Sequence, residues 1–345
     1  MKILVTGGAG FIGSSFVRYL LRTRDDIEVM NYDFLTYAGN LRNVAEVAAD
    51  PRYHFVRGDV ADVAQVEKLF EDQRFDAVVN FAAETHVDRS IFDSAPFVRA
   101  NIEGTRCLLE ASRKYKVAKY IQISTDEVYG SLGPAGSFRE DSPLDPSSPY
   151  SASKAAADLL VLAFHRTYGL PAVITRCSNN YGPYQFPEKL VPVLITNAME
   201  DRPLPIYGDG LYIREWIFAD EHSRAVVLAL ERGRPGQIYN VGSGHEKTNL
   251  EVVRTILEFM GKPESLIQFV KDRPGHDRRY SVDCSKIRSE WNWSSKIDFA
   301  SGVAATIDWY LKNQDWVRDI RDASYRSYYD QMYTRREQTL AGLGP

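Results

Sequence analysis

Tyr150 and Lys154 stand four residues apart in Tyr150-Ser151-Ala152-Ser153-Lys154. At the start of a helix that spacing puts both side chains on one face. A free phenol has a pKa near 10 and is a poor base at neutral pH. A cation about 4 Å away, at an effective dielectric of about 20, is worth roughly 4 kcal/mol, or about three pKa units. The pair is suited to take a proton from a hydroxyl while a hydride leaves the same carbon, and Lys154 can also bind a nicotinamide ribose. Upstream, Thr125-Asp126-Glu127 offers two adjacent carboxyl groups. Elimination of water needs a base and an acid, and two carboxyls in different environments can divide those roles. Neighbours in a straight strand point to opposite faces, so Asp126 and Glu127 can share a site only from an irregular turn.

A third constellation implies the cofactor. Val5-Thr6-Gly7-Gly8-Ala9-Gly10-Phe11-Ile12-Gly13 contains both Gly8-x-Gly10-x-x-Gly13 and Gly7-x-x-Gly10-x-x-Gly13. Glycines let the backbone turn tightly and approach a pyrophosphate, whose charge free N–H groups and a helix dipole then stabilise. Asp33 follows Gly13 by 20 residues. A carboxylate there accepts from a ribose 2′-OH and repels a 2′-phosphate. No Arg follows Asp33 immediately, so NAD is expected rather than NADP. Asp59-Val60 is placed to border the adenine, and Phe81-Ala82-Ala83 offers small residues where backbone passes close to the ligand. The six histidines include no HExxH or HxH pair, and no metal is expected.

The elements needed to position these groups are legible. Apolar runs predict strands over Lys2–Thr6, Glu28–Tyr32, His54–Arg57, Ala77–Phe81, Tyr120–Ser124 and Ala172–Arg176, and amphipathic stretches predict helices over Ile12–Thr23, Val63–Gln73, Asn101–Tyr115 and Ser151–Tyr168. This alternation predicts an α/β fold, a Rossmann-type doubly wound parallel sheet with ligands at the carboxyl ends of its strands. After Cys177 the prolines at 183, 187, 192, 203 and 205 break the chain into loops and short elements. Helical periodicity returns over His222–Glu231 and Leu250–Met260, and Gln237–Val241 predicts a short strand returning to the first sheet. The expected division is a dinucleotide-binding domain over 1–178 with that returning strand, a smaller discontinuous α/β substrate domain mainly over 179–316, and an extension over 317–345. The extension is rich in Arg, Tyr and Asp and reads as an appended helix or loose tail without assigned function.

Composition narrows the class. The 345 residues carry 42 Lys and Arg against 46 Asp and Glu, a net charge of −4, which argues against nucleic acid or an anionic membrane as the main partner. No apolar run reaches the roughly 18 residues of a membrane span, and Gly7 and Gly8 interrupt any leader-like stretch. Cys107, Cys177 and Cys284 have no paired spacing, which fits a reduced cytoplasmic chain.

Taken together, the glycine loop, Asp33 and Tyr150-x-x-x-Lys154 resemble the extended short-chain dehydrogenase/reductase superfamily, whose members modify nucleotide sugars. Asp33-Phe34-Leu35-Thr36-Tyr37-Ala38-Gly39-Asn40, Ala82-Ala83-Glu84-Thr85-His86-Val87-Asp88-Arg89-Ser90, Ser124-Thr125-Asp126-Glu127-Val128-Tyr129-Gly130, Cys177-Ser178-Asn179-Asn180-Tyr181-Gly182-Pro183 and Asp272-Arg273-Pro274-Gly275-His276-Asp277-Arg278-Arg279-Tyr280 resemble the dTDP-glucose 4,6-dehydratase family within it. Thr85 stands where the family usually has Ser, and Ala100 where it often has Thr. The resemblance covers about Met1 to Trp316.

It implies the following chemistry. Tyr150 deprotonates a C4 hydroxyl as C4 gives hydride to NAD⁺. Glu127 removes the C5 proton, Asp126 protonates the departing C6 oxygen, and hydride returns to C6 from tightly bound cofactor. Thr125 lies near the C4 oxygen. For the cofactor it implies Gly7, Gly10, Phe11, Ile12, Gly13, Asp33, Phe34, Leu35, Thr36, Asp59, Val60, Phe81, Ala82, Ala83, Thr85, Ala100, Tyr150, Lys154 and Asn180. For the nucleotide sugar it implies Thr85, Thr125, Asn179, Lys189, Leu190, Pro205, Ile206, Tyr207, Arg214, Asn249, Asp272, Arg273, Pro274, Gly275 and His276, with Arg214 and Arg273 the expected diphosphate ligands. Glu84 and His86 line the site or support it from behind. It also implies a homodimer, with the helices at 101–115 and 151–168 crossing the interface. No residue type forces thymine over uracil.

Overall fold

The computed structural model describes residues 1–321 and 323–335. Strands β1 (Lys2–Thr6), β2 (Glu28–Asp33), β3 (Tyr53–Arg57), β4 (Ala77–Asn80), β5 (Lys119–Thr125) and β6 (Ala172–Cys177) pair in parallel in the order β6-β5-β4-β1-β2-β3. The order reverses between β1 and β4, which opens a crevice at their carboxyl ends. Later come β7 (Asn179–Tyr181), β8 (Leu204–Tyr207), β9 (Ile213–Phe218) and β10 (Ile238–Val241). The expected returning strand is β10, which pairs in parallel with β6 and completes a seven-stranded sheet.

Strands buried on both faces need helices on both sides. Helix α1 (Phe11–Thr23) covers one face and α2 (Val63–Asp72) the other. Between β4 and β5 run α3 (Val87–Phe92), α4 (Ala95–Phe97) and α5 (Gly104–Lys114), and α6 (Pro149–Tyr168) precedes β6. Alternate strand residues divide between two cores. Ile3, Val5 and Val29 pack with Phe16, Val17, Ala225 and Val226, whereas Leu4, Met30 and Val78 pack with Val66, Phe70, Leu108 and Val161.

The helix expected over Asn101–Tyr115 becomes regular only at Gly104, because Val98–Glu103 forms a π turn. Its physical reason is Asn101. The buried amide accepts from the Glu84 N–H (2.9 Å) and donates to the Glu84 carbonyl (3.0 Å) and to Ser153 (2.8 Å). A side chain tied to three points outside its helix widens the local turn.

The second half uses α7 (Leu190–Met199), α8 (Ala219–Arg232), β11 (Glu246–Thr248), α9 (Asn249–Met260), β12 (Ile267–Val270), α10 (Ser285–Trp291) and α11 (Phe299–Lys312). Helix α8 returns to the large sheet and packs on α1. A three-stranded sheet, β11-β9-β7, and a β12-β8 pair enclose a third core with Val191, Leu194, Trp216, Ile256 and Tyr310. The extension forms α12 (Gln314–Ile320) and α13 (Ala323–Tyr329) and then a π turn (Asp330–Thr334). It packs back rather than trailing away: Tyr325 and Tyr328 are buried. The rest of the expected extension, at 322 and 336–345, lies outside the described residues. Among the described residues no helix is long and apolar enough to cross a membrane.

Candidate active site

Six strand ends converge on the crevice. After β1, Gly7 takes φ +69° and a Cβ there would meet the Ala82 nitrogen at 2.7 Å. A Cβ at Gly13 would sit 2.2 Å from the Gly7 carbonyl, so the first turn of α1, with Phe11 and Ile12, can approach the loop only with glycine present. At Gly10 a Cβ would meet only the Gly7 carbonyl, at 3.3 Å, which leaves a cradle above the loop.

Asp33 ends β2, and its carboxylate accepts from Ala9 N–H (2.9 Å) and Leu35 N–H (2.8 Å). Burial pushes its pKa up while those N–H groups hold it down. Phe34, Leu35 and Thr36 continue from it in a loop with Leu35 at φ +57°. Asp59 follows β3 and accepts from Ala61 N–H (2.8 Å) and Arg99 (2.5 Å), with Val60 buried beside it. Phe81, Ala82 and Ala83 leave β4 half-buried. Ala100 lies in the π turn. These residues fit a dinucleotide. At the same edge Ser124 Oγ, Ser178 Oγ, Asn179 Oδ1 and Asp126 Oδ2 are buried without a hydrogen-bond partner, as expected of groups that face a polar ligand.

The carboxyl pair does sit in an irregular turn. Strand β5 ends at Thr125, and Asp126–Tyr129 forms a single 3-10 turn. Thr125 Oγ1 accepts from the Glu127 N–H (3.2 Å) and donates to Asp126 (3.3 Å). Both carboxylates act electrostatically on the Tyr150 phenol, which also meets the Thr125 hydroxyl, so turn and tyrosine are neighbours at the carboxyl end of β5. The two acids differ in surroundings. Burial raises the Asp126 pKa well above its ordinary value, and the Glu127 and Glu215 carboxylates push it further. Burial also raises Glu127, but Arg273, Lys189 and Arg214 all oppose the rise.

Tyr150 and Lys154 share the first turns of α6, started by a Ser148–Ser151 capping box with Pro149 in its first turn. The expected lowering of the phenol is absent. Burial pushes Tyr150 well above its ordinary value, the Glu127 carboxylate adds to the rise, and Thr125 works against it. Lys154 instead donates to the Ile123 carbonyl (2.7 Å) and is itself lowered by burial. Spacing placed the two on one face, but desolvation outweighs a lysine engaged elsewhere.

The remaining expected residues come mostly from the second half. Lys189, at the start of α7 before Leu190, donates to the Thr85 carbonyl (2.7 Å). Arg214 on β9 donates to the Asp277 carbonyl (2.8 Å) and lies 4.2 Å over the Tyr280 ring. Arg273 approaches Asp88 at 3.8 Å, and its Nε is buried without a partner. Asp272 accepts from His276 (2.6 Å) and from Tyr212. His276 stacks on Tyr212 at 3.8 Å and is held neutral by burial and by Arg273 and Arg214, so it adds no positive charge. Pro274 and Gly275, the latter at φ +63°, turn the chain between them. Pro205, Ile206 and Tyr207 lie in β8, and the Tyr207 hydroxyl donates to Asp88 (3.2 Å). Asn249 opens α9. Asn179 and Asn180 form β7, and the Asn180 amide is already engaged by Ser178, Cys177 and His222. His86 is buried beside the Glu188 carbonyl (3.2 Å), and Glu84 is half-buried with its pKa raised.

Sequence reasoning missed Glu188, whose buried carboxylate joins Tyr37 (2.8 Å) and Arg89 (3.0 Å). It also left the extension without a role, yet Tyr328 pairs with His86 (3.1 Å) and Tyr333 packs on Tyr207 at 6.1 Å. The tyrosine-rich composition after Trp316 was the available signal. Among the described residues no cluster of three or more His, Cys, Asp or Glu could hold a metal.

Known proteins are similar to this chain in sequence and fold. The family model described as GDP-mannose 4,6 dehydratase matches residues 4–306. The dTDP-glucose 4,6-dehydratase of Xanthomonas campestris is 50% identical over 341 residues, covering 94% of this chain and 97% of that one. The enzyme of that name from Actinoplanes is 51% identical over 321 residues, covering 92% and 99%. Among solved structures, dTDP-glucose 4,6-dehydratase from Bacillus anthracis in complex with NAD superposes with a TM-score of 0.88 at 48% identity, covering 93% and 99%. UDP-glucose 4-epimerase from Thermotoga maritima superposes at 0.85 with 30% identity, covering 91% and 100%. With half its residues shared over nearly its whole length, the chain belongs to the dTDP-glucose 4,6-dehydratases within the GDP-mannose 4,6 dehydratase family.

Proposed function

We propose that the protein is an NAD-dependent hydro-lyase that converts dTDP-glucose to dTDP-4-keto-6-deoxyglucose and water. The carrying observation is the Asp126–Glu127 turn beside Tyr150, because a plain epimerase has no need of a second acid–base pair. NAD, when bound, supplies a reversible hydride acceptor for C4 oxidation and C6 reduction. Tyr150 acts as its phenolate, the form that burial disfavours and the Lys154 ammonium favours, and takes the C4 hydroxyl proton beside the Thr125 hydroxyl. The resulting ketone acidifies the C5 proton, and Glu127 removes it. Asp126, neutral, protonates the departing C6 oxygen, and C5 is reprotonated when hydride has returned. The electrostatics support this division: Arg273, Lys189 and Arg214 oppose the rise at Glu127, whereas at Asp126 the Glu127 and Glu215 carboxyls add to it and Arg214 opposes.

Residues 1–178 hold the dinucleotide on the glycine loop, Asp33 and Asp59, and the second half holds the nucleotide sugar, with Lys189, Arg214 and Arg273 opposite its diphosphate. The solved Streptomyces venezuelae relative with NAD and TYD bound, 49% identical with a TM-score of 0.89, supports both ligands. The reading extends to deoxysugar synthesis of the rhamnose type in the cytoplasm, supported by three buried free thiols, and to a homodimer across α5 and α6, supported by exposed Leu159 and Tyr168 on α6. Incubation with dTDP-glucose and, separately, UDP-glucose, followed by mass analysis, tests it. Loss of one water from the dTDP sugar is expected, and an unchanged dTDP sugar overturns the assignment.

A further inference from the structure

Behind the reaction centre lies an ion pair the mechanism does not use. Asp158 and Arg176 are 0% and 2% exposed, and Arg176 Nε meets Asp158 Oδ2 at 2.9 Å. Desolvating two charges is expensive, and such a pair is weak evidence for stability by itself. Its position gives it another use. Asp158 lies four residues beyond Lys154 on α6, as Lys154 lies four beyond Tyr150, so the three share one helix face. Asp158 Oδ1 is buried with no hydrogen-bond partner. Arg176 is fixed from its other side, 4.7 Å over the ring of Tyr129. Tyr129 belongs to the turn that carries Asp126 and Glu127.

Lys154 needs a counter-charge, because it is buried and its ammonium donates to a neutral carbonyl. The titratable groups at this end are Tyr150 and Asp158 on its own helix, Cys177 with Arg176 from β6, and Asp126, Glu127 and Tyr129 from the turn after β5. Burial pushes the Cys177 thiol up to about 12, so it is neutral. Burial and two carboxyls push Asp126 well above its ordinary value, which disfavours its charged form, and Glu127 is faced by three other cations. Burial likewise raises Tyr150 and Tyr129, so neither supplies a charge in the resting site. That leaves the Asp158 carboxylate, which is the leading effect opposing the desolvation of Lys154.

We infer that Asp158, held in place by Arg176, is a positioning residue of the reaction: it supplies the negative charge that keeps the Lys154 ammonium protonated beside Tyr150. This rests on the reading of Tyr150 and Lys154 as the C4-oxidation pair. Removing the carboxylate lets Lys154 lose its proton at lower pH.

The test compares Asp158→Asn, Asp158→Glu and the double variant Asp158→Asn/Arg176→Met with the parent. Lys154 is titrated directly by NMR of carbon-labelled lysine, its signal assigned with Lys154→Met. The alkaline limb of C4 oxidation is followed by reduced-nicotinamide absorbance in a Glu127→Gln background. Both Asn variants are expected to lower the Lys154 titration and the alkaline limb by about one pH unit, and Asp158→Glu to restore them. The double variant leaves no unpaired guanidinium and serves if Asp158→Asn does not fold. An unmoved Lys154 titration in whichever Asn variant folds overturns the inference, even with a lowered melting temperature. A Glu127→Gln chain with Asp158 and Arg176 intact that never reduces nicotinamide would instead count against the functional reading, while the NMR titration still decides this one.

Discussion

Asp126 and Glu127 are neighbours in sequence, both raised by burial but with more cations opposing the rise at Glu127, and that contrast makes their roles separable by experiment. A positioned acid or base is worth about 10²–10⁴-fold. Glu127→Gln should lower dehydration by that range yet leave C4 oxidation visible as nicotinamide absorbance, and it should stop C5 exchange with deuterated solvent. Asp126→Asn should lower water loss as strongly while C5 exchange continues. If both variants stop exchange equally, the division of roles falls. The Asp126 carboxyl is raised by burial, so its useful neutral form is present below that raised pKa and is lost as pH rises through it. Water loss should therefore decline on the alkaline side, a limb that Asp126→Asn removes from the residual activity. At this scale the residue types were legible because they travel in contiguous motifs. The fate of the Lys154 proton was not, because it depends on a carbonyl from β5 and on a carboxylate one turn further along α6.

At the scale of elements, the first six strands were legible for a physical reason. A parallel strand covered on both faces reads as a plain apolar run, as Leu4, Val5 and Val78, Val79 show. Strands β7 and β11, three residues each and largely polar, carry no such signal. They are held by backbone pairing to β9. Likewise α7 tolerates Pro192 because the ring sits in its first turn. The glycine loop yields a prediction of its own. Gly13→Ala would drive a methyl into the Gly7 carbonyl and displace the loop without touching either core. NAD binding should weaken by about tenfold or more, the 1.4 kcal/mol scale of one lost hydrogen bond. Titration of cofactor-free protein by calorimetry checks this, and the melting temperature without NAD should change much less.

The whole molecule is knit across its two halves by buried polar contacts. Helix α8 lies on the first sheet, yet its His222 bonds to Asn180 at 2.9 Å. Burial lowers the His222 pKa from 6.5 to about 4. A depressed folded-state value means the stabilisation is present above the unfolded pKa. It is lost as pH falls from 6.5 through about 4. Between pH 7 and 4.5 this one group should remove about 2 kcal/mol. Urea unfolding of His222→Gln at the two pH values should show a gap smaller by that amount; an equal gap would mean another group drives acid unfolding.

One consequence follows from β10 lying at the edge of the large sheet, donated by residues 238–241. A nascent chain that has delivered β6 still presents that strand's open edge until some sixty further residues have emerged. A fragment cut after Cys177 would keep its glycine loop but expose this unpaired border, and it is expected to self-associate rather than survive as a free-standing nucleotide binder.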